Sequence, residues 1–217
     1  MKQFFTIVIL VLLFTSCSKD RLTANGDGTI TTRQLSNFTG IRSSGANPIT
    51  INYGDEFKVE LKGSSNLIPY FKTEVVNSKL YLNYENASVH KDDIEITVTL
   101  PVLKSISLSG SSKVIIDGDF PLIDFFNIDV SGSGKLLLTN HLNADDLDIT
   151  ISGSGEIVLD KLAAKRADIS ISGSGDARLK VLNDLKANIS GSGKVYYLGN
   201  PIVTSRISGS GKIIQIN

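Results

Sequence analysis

The chain has 217 residues, 41% of them hydrophobic, enough for one sizeable domain with its own core. Its 22 basic residues balance 22 acidic ones, which excludes the long-range field that gathers nucleic acid, so no nucleic-acid partner is expected. A single cysteine excludes both an internal disulfide framework and a cysteine-based metal cluster.

The N-terminus, MKQFFTIVILVLLFTSCSKD, carries Lys2, an apolar run from Phe4 to Phe14, then small Thr15 and Ser16 before Cys17. The run is about half the ~20 residues that a membrane-spanning helix needs, so residues 1–16 read as a secretory signal. Cys17 behind two small residues resembles the lipobox of bacterial lipoproteins, although Phe14 stands where leucine is usual. That resemblance implies cleavage before Cys17 and acylation of the new N-terminus, and several acyl chains hold a membrane far better than one. Ser18 in the next place resembles sorting to the outer membrane of a Gram-negative envelope, facing the periplasm or the exterior. The alternative is an ordinary signal peptide with an incidental cysteine. Residues 17–36 lack apolar periodicity and are expected as a tether with room for one strand.

Residues 37–217 are expected as a single domain, with an N-terminal β part over 37–104 and a repeat part over 105–217. PITINYGDEFKVELKG alternates around Gly54 and Asp55 and predicts a hairpin. SKLYLNYE and DIEITVTLP predict further strands. GIRSSGA at Gly40 partly echoes the later repeat, so this part is expected to begin or cap a stack whose open edge would otherwise be exposed.

The repeat starts at Ser109, Ser131, Ser152, Ser172, Ser190 and Ser208, at intervals of 22, 21, 20, 18 and 18 residues. An apolar residue precedes each start, from Leu108 to Ile207, and a charged residue follows each SGSG, from Lys113 to Lys212. Apolar residues from Val114 to Ile213 come next, giving the period of two of a strand with one buried face. A period near 20 residues without helical pattern or leucine-rich consensus predicts an all-β fold, a parallel β-helix (β-solenoid) whose coils stack about 4.8 Å apart. Counting from the buried residues places the repeat glycines inward and the serines outward. These glycines are Gly110, Gly132, Gly134, Gly153, Gly155 and Gly173, then Gly175, Gly191, Gly193, Gly209 and Gly211, with Ser112 in the second place of the first copy. A residue without Cβ suits a tight corner repeated in every coil.

The run FTGIRSSG, then ITINYGDEFKVELKGSSNLIPYFKTEVVNSKLYLNYE, then IEITVTLPVLKSISLSGSSKV, followed by the SGSG copies, resembles the bacterial auto-transporter adhesin family, head GIN domain, over residues 36–217. The resemblance implies a right-handed β-helix on a secreted or lipid-anchored protein and brings no catalytic residue with it. A non-enzymatic binding or structural module is therefore expected, without cofactor, with a glycan, protein or lipid as ligand. The alternative is a carbohydrate-active β-helix enzyme, which would need acids and bases gathered in one aromatic-lined groove.

Candidate chemistry is sparse. Asp148 and Asp168 fall in one outward column, one coil apart, with Asp129 nearby. Two carboxylates about 5 Å apart match a retaining glycosidase, or a calcium site completed by carbonyls. The competing reading is solvated aspartates relieved by Lys186. NADDLD, from Asn143, lacks the glycine and distal glutamate of an EF-hand loop, and His90 and His141 stand apart. SGSG could cradle a phosphate, but no helix or P-loop lysine follows. Finally, Ile115, Leu137, Val158, Tyr196 and Ile214 form a column that strict alternation points outward, with Arg178 between them. Either a corner flips the register there, or an apolar stripe packs on the chain's own N-terminal strands or on a second protomer.

Overall fold

A computed structural model describes residues 20–85 and 87–217. Strand β15 (Glu156–Gly173) shows how a coil is made. Ile157 and Leu159 are buried and Val158 faces out, until the exposed pair Asp160–Lys161 interrupts the alternation. It resumes through Leu162 and Ala164, breaks at Lys165–Arg166, and resumes as far as Ile171. Two successive outward residues reset a period of two. Each break is therefore a corner, and with the glycine corner the coil has three sides.

Each side stacks as a parallel ladder. The side entering the glycine corner runs from β10 (Ser105–Leu108) through β12 (Ile123–Gly132), β14 (Leu142–Gly153) and the C-terminal part of β15. It continues through the same part of β16 (Asp176–Gly191) to β18 (Ile202–Gly209). Its outer surface is the hydroxyl face. The side leaving the corner comprises β11 (Lys113–Asp117), β13 (Lys135–Leu138), the N-terminal parts of β15 and β16, β17 (Lys194–Leu198) and β19 (Lys212–Gln215). Its outer surface is the stripe face. A short third ladder aligns Ala144, Ala164 and Val181.

The core is the set of inward columns. Ile128, Ile149 and Ile169 are 0% exposed and stack in register, as do Leu136, Ile157 and Ala177. Each buried leucine or isoleucine among them contributes roughly 1.5–3 kcal/mol. The shortening of the repeat is absorbed at corners. Where β15 takes four steps from Leu159 to Ala163, β16 takes one from Leu179 to Lys180, and it regains one between Val181 and Asp184. The sides keep their register and the corners take up the difference.

The N-terminal part belongs to the same stack. β3 (Gly40–Ser43) pairs with β10, and β4 (Ile49–Tyr53) with β11, forming a further coil below the first SGSG copy. Below that, β7 (Lys79–Tyr84) pairs parallel with β3, and β9 (Glu95–Leu100) with β4. Antiparallel strands then close the end: β5 (Lys58–Ser64) on β9, β2 (Gly28–Arg33) on β5, and β6 (Phe71–Val76) on β7. β1 (Asp20–Thr23) and β8 (Ala87–His90) form a separate two-stranded parallel sheet.

Two expectations change. The hairpin around Gly54 and Asp55 does not form, because β9 lies between β4 and β5 and pairs with both. Alternation located both strands but could not name their partner, and β9 carries the stack downward where a β4–β5 hairpin would end it. The presumed tether enters the fold, since β1 and β2 lie within residues 20–33. Ladders run straight across residue 104, so the N-terminal part begins the same stack, in keeping with its GIRSSGA echo.

Candidate functional site

The glycine corner positions everything that faces outward. In the five copies from Gly132 to Gly209 the first glycine has φ between 117° and 126°, a region that L side chains rarely adopt. At Gly173 an added Cβ would lie 2.4 Å from the Gly153 carbonyl oxygen. The corners are also stitched together, with the Ser174 N–H donating to Gly153 O at 2.9 Å and the Asp176 N–H to Gly155 O at 3.0 Å. The first copy keeps Ser112 because the coil beneath it differs. Where later coils hold Leu108, Val130 or Ile151 against the second glycine, this one holds Ser43. The buried Ser112 hydroxyl sits 3.1 Å from Ser43 Oγ and donates to Gly45 O at 3.0 Å. This pair was not anticipated; the signal was Ser43 standing in an otherwise apolar column.

On the hydroxyl face, Ser131, Ser152, Ser172, Ser190 and Ser208 stack in one outward column. Thr150, Ser170, Asn188 and Arg206 form the next. Between the two columns runs a groove of about 320 Å³ along four coils. Beside it lies a second groove of about 470 Å³, with Phe125, 52% exposed, next to Asp146, Asp148, Arg166, Asp168 and Lys186.

The structure brings Asp148 and Asp168 together as cross-strand partners and leaves Asp129 one column away. They are not a free pair. Lys186 Nζ donates to Asp168 at 2.5 Å, and Asn127 Nδ2 donates to Asp129 at 2.9 Å. Partial burial, with Asp168 and then Asp129 nearby, raises the Asp148 pKa above the usual carboxylate range against the opposing pull of Lys186. Arg166 grips Asp146 through two hydrogen bonds of 2.6 Å and holds that carboxyl below its usual range. Among the described residues, no three His, Cys, Asp or Glu side chains gather as metal ligands. His90 ends β8 and His141 lies in a loop, both exposed.

The stripe does face outward. Ile115, Leu137, Val158, Arg178, Tyr196 and Ile214 are successive partners across the coils. No register flip occurs, since their neighbours Leu136, Ile157 and Val195 stay buried while Leu137, Val158 and Tyr196 are half-buried. Among the described residues, the N-terminal strands β4 and β9 do not cross over this stripe but extend its plane with Thr50 and Thr97. Beside it lies a groove of about 500 Å³. Cys17 and the signal segment lie outside the described residues. No described helix is long and apolar enough to cross a membrane.

The family model described as "Putative auto-transporter adhesin, head GIN domain" matches residues 37–201. Among curated proteins, no sequence matches the chain. Several solved structures are similar. One described as a "putative adhesin" from Bacteroides fragilis has TM-score 0.75 and 20% identity, covering 89% of this chain and 99% of its own. Another so described, from Parabacteroides distasonis, has TM-score 0.63 and 25% identity, covering 91% and 100%. A "putative lipid binding protein" from the same species has TM-score 0.55 and 22% identity, again covering 91% and 100%.

Proposed function

The chain belongs to the auto-transporter adhesin family, head GIN domain, and from that premise we propose that it is a non-enzymatic cell-envelope lipoprotein presenting a glycan-binding face on a stiff solenoid. The observation that carries this reading is the hydroxyl face. It repeats small hydrogen-bonding side chains coil after coil, beside an exposed Phe125 ring and the planar Asp146–Arg166 pair. Hydroxyl and carboxylate groups can satisfy sugar hydroxyls, and a ring face can stack on a sugar. Asp146 and Asp168 are paired with Arg166 and Lys186, which leaves Asp148 without the second free carboxylate that acid–base work on a glycosidic bond needs. Acylated Cys17 would hold the solenoid at the outer membrane.

Binding of the full chain to a glycan array tests the reading, with polysaccharide breakdown measured alongside. Sugar binding that Phe125→Ala and Arg166→Ala each weaken at least tenfold is expected, with no breakdown. Binding indifferent to both substitutions, or breakdown of any bound polymer, overturns it. Protease added to intact cells reports which side of the membrane the solenoid occupies.

A further inference from the structure

The stripe face is flanked by charges in an unusual order. Along the stack, its first column runs Lys113 and Lys135, then Glu156 and Asp176, then Lys194 and Lys212. Below Lys113 the same column continues with uncharged Pro48 and then Glu95. We propose that this face is a homodimer interface. Two copies pack face to face and antiparallel, about a twofold axis running along the strands between the coils of Lys135 and Glu156.

That axis lays the column on its own reverse, and opposite charges meet. Lys113 faces Asp176 of the partner copy; Lys135, which holds its own Glu156 at 2.7 Å, also faces the partner's Glu156; and Glu95, which holds its own Lys62 at 3.2 Å, faces Lys212, while Lys194 meets neutral Pro48. Moving the axis up one coil would set Glu156 against Asp176 and Lys135 against Lys194. Moving it up two would keep only two complementary pairs, Asp176–Lys194 and Glu156–Lys212, over half the overlap. Charge and overlap together favour the first register. Such a patch is self-complementary in the way a twofold interface requires.

Beside the charged column lies the apolar stripe. Leu137 meets Val158 of the partner copy, and Thr50 meets Tyr196. Ile115 meets the stem of Arg178, whose head is turned away to Asp160 at 2.6 Å. Eight strands at ~4.8 Å and three outward columns ~7 Å apart give roughly 700 Å² per copy by strand geometry. The pair would bury about 1,400 Å², within the range of a stable specific interface.

Light scattering of the full chain in mild detergent tests this. The wild type is expected at twice the chain mass, and Lys113→Asp, Asp176→Lys or Leu137→Glu at half that value. The double variant Lys113→Asp/Asp176→Lys should return to the dimer. These residues are three coils, about 14 Å, apart in one chain, too far to pair internally. Asp176 also accepts the Lys194 N–H at 2.9 Å, so the exchange Glu95→Lys with Lys212→Glu gives an independent swap with the same expected loss and recovery. A monomeric wild type, a dimer that survives the single reversals, or double variants that stay monomeric overturns the proposal.

Discussion

Gly173→Ala puts a methyl group where the stack leaves no room. Its Cβ would lie 2.4 Å from Gly153 O and 3.2 Å from both Gly153 C and N, all backbone atoms of the coil beneath. Its φ of 121° adds conformational strain. Such a backbone position costs about 1–3 kcal/mol for an L-residue, and forcing a methyl into packed structure adds about 1–3 kcal/mol. The expected total is about 4 kcal/mol. Gly26→Ala supplies the internal control, because Gly26 has φ of 80° with nothing within 4 Å of the added Cβ. It should cost only ~1–2 kcal/mol of left-handed strain. Urea unfolding of both variants measures the difference. At a slope of ~2–3 kcal/mol per M, Gly173→Ala should lower the midpoint by about 1–2 M and Gly26→Ala by much less. Equal shifts would refute the idea that rigid backbone contact between corners makes glycine necessary.

Ser112→Ala removes the partner of buried Ser43 and should cost about 1–3 kcal/mol in the same titration. Gly134→Ser, which copies the first repeat into a later coil, should also destabilise, since its Cβ would meet Leu108 Cδ1 at 3.2 Å in place of a serine. Asp148 has a raised folded-state pKa, so its stabilising contribution is full below the unfolded pKa and lost as pH rises through the folded one. Asp148→Asn should therefore stabilise by ~0.5 kcal/mol at pH 7, and the gain should vanish below about pH 4 in pH-resolved unfolding. Cys17→Ser should abolish incorporation of labelled fatty acid and release the protein from the membrane fraction.

The repeat part was legible because its signal is periodic. Columns such as Ile128, Ile149 and Ile169 appear in the sequence before any pairing is known, and the ladders align them as counted. The inward glycines follow from the same count. The N-terminal part was less legible because its partners are remote and run both ways. Nothing local in Glu95–Leu100 says that it will pair parallel with Ile49–Tyr53 and antiparallel with Lys58–Ser64. The site was partly legible for the same reason. Register put Asp148 beside Asp168, but the bidentate Asp146–Arg166 grip depends on how long side chains turn at a corner. The order of charges on the stripe face was visible in the sequence, yet its meaning required β4 and β9 to extend the same plane.

The placement of β3 and β4 gives the stack a direction of assembly. They precede β7 and β9 in the chain, yet those later strands cover one side of their coil while β10 and β11 cover the other. The lower end can therefore close as soon as Leu100 is available, before any SGSG copy exists. Growth after that is one-way, each coil needing only the coil before it as a template. Reach then becomes countable. Duplicating or deleting one copy of 18–22 residues moves the far end by one coil, about 4.8 Å, and leaves the closed end as it was.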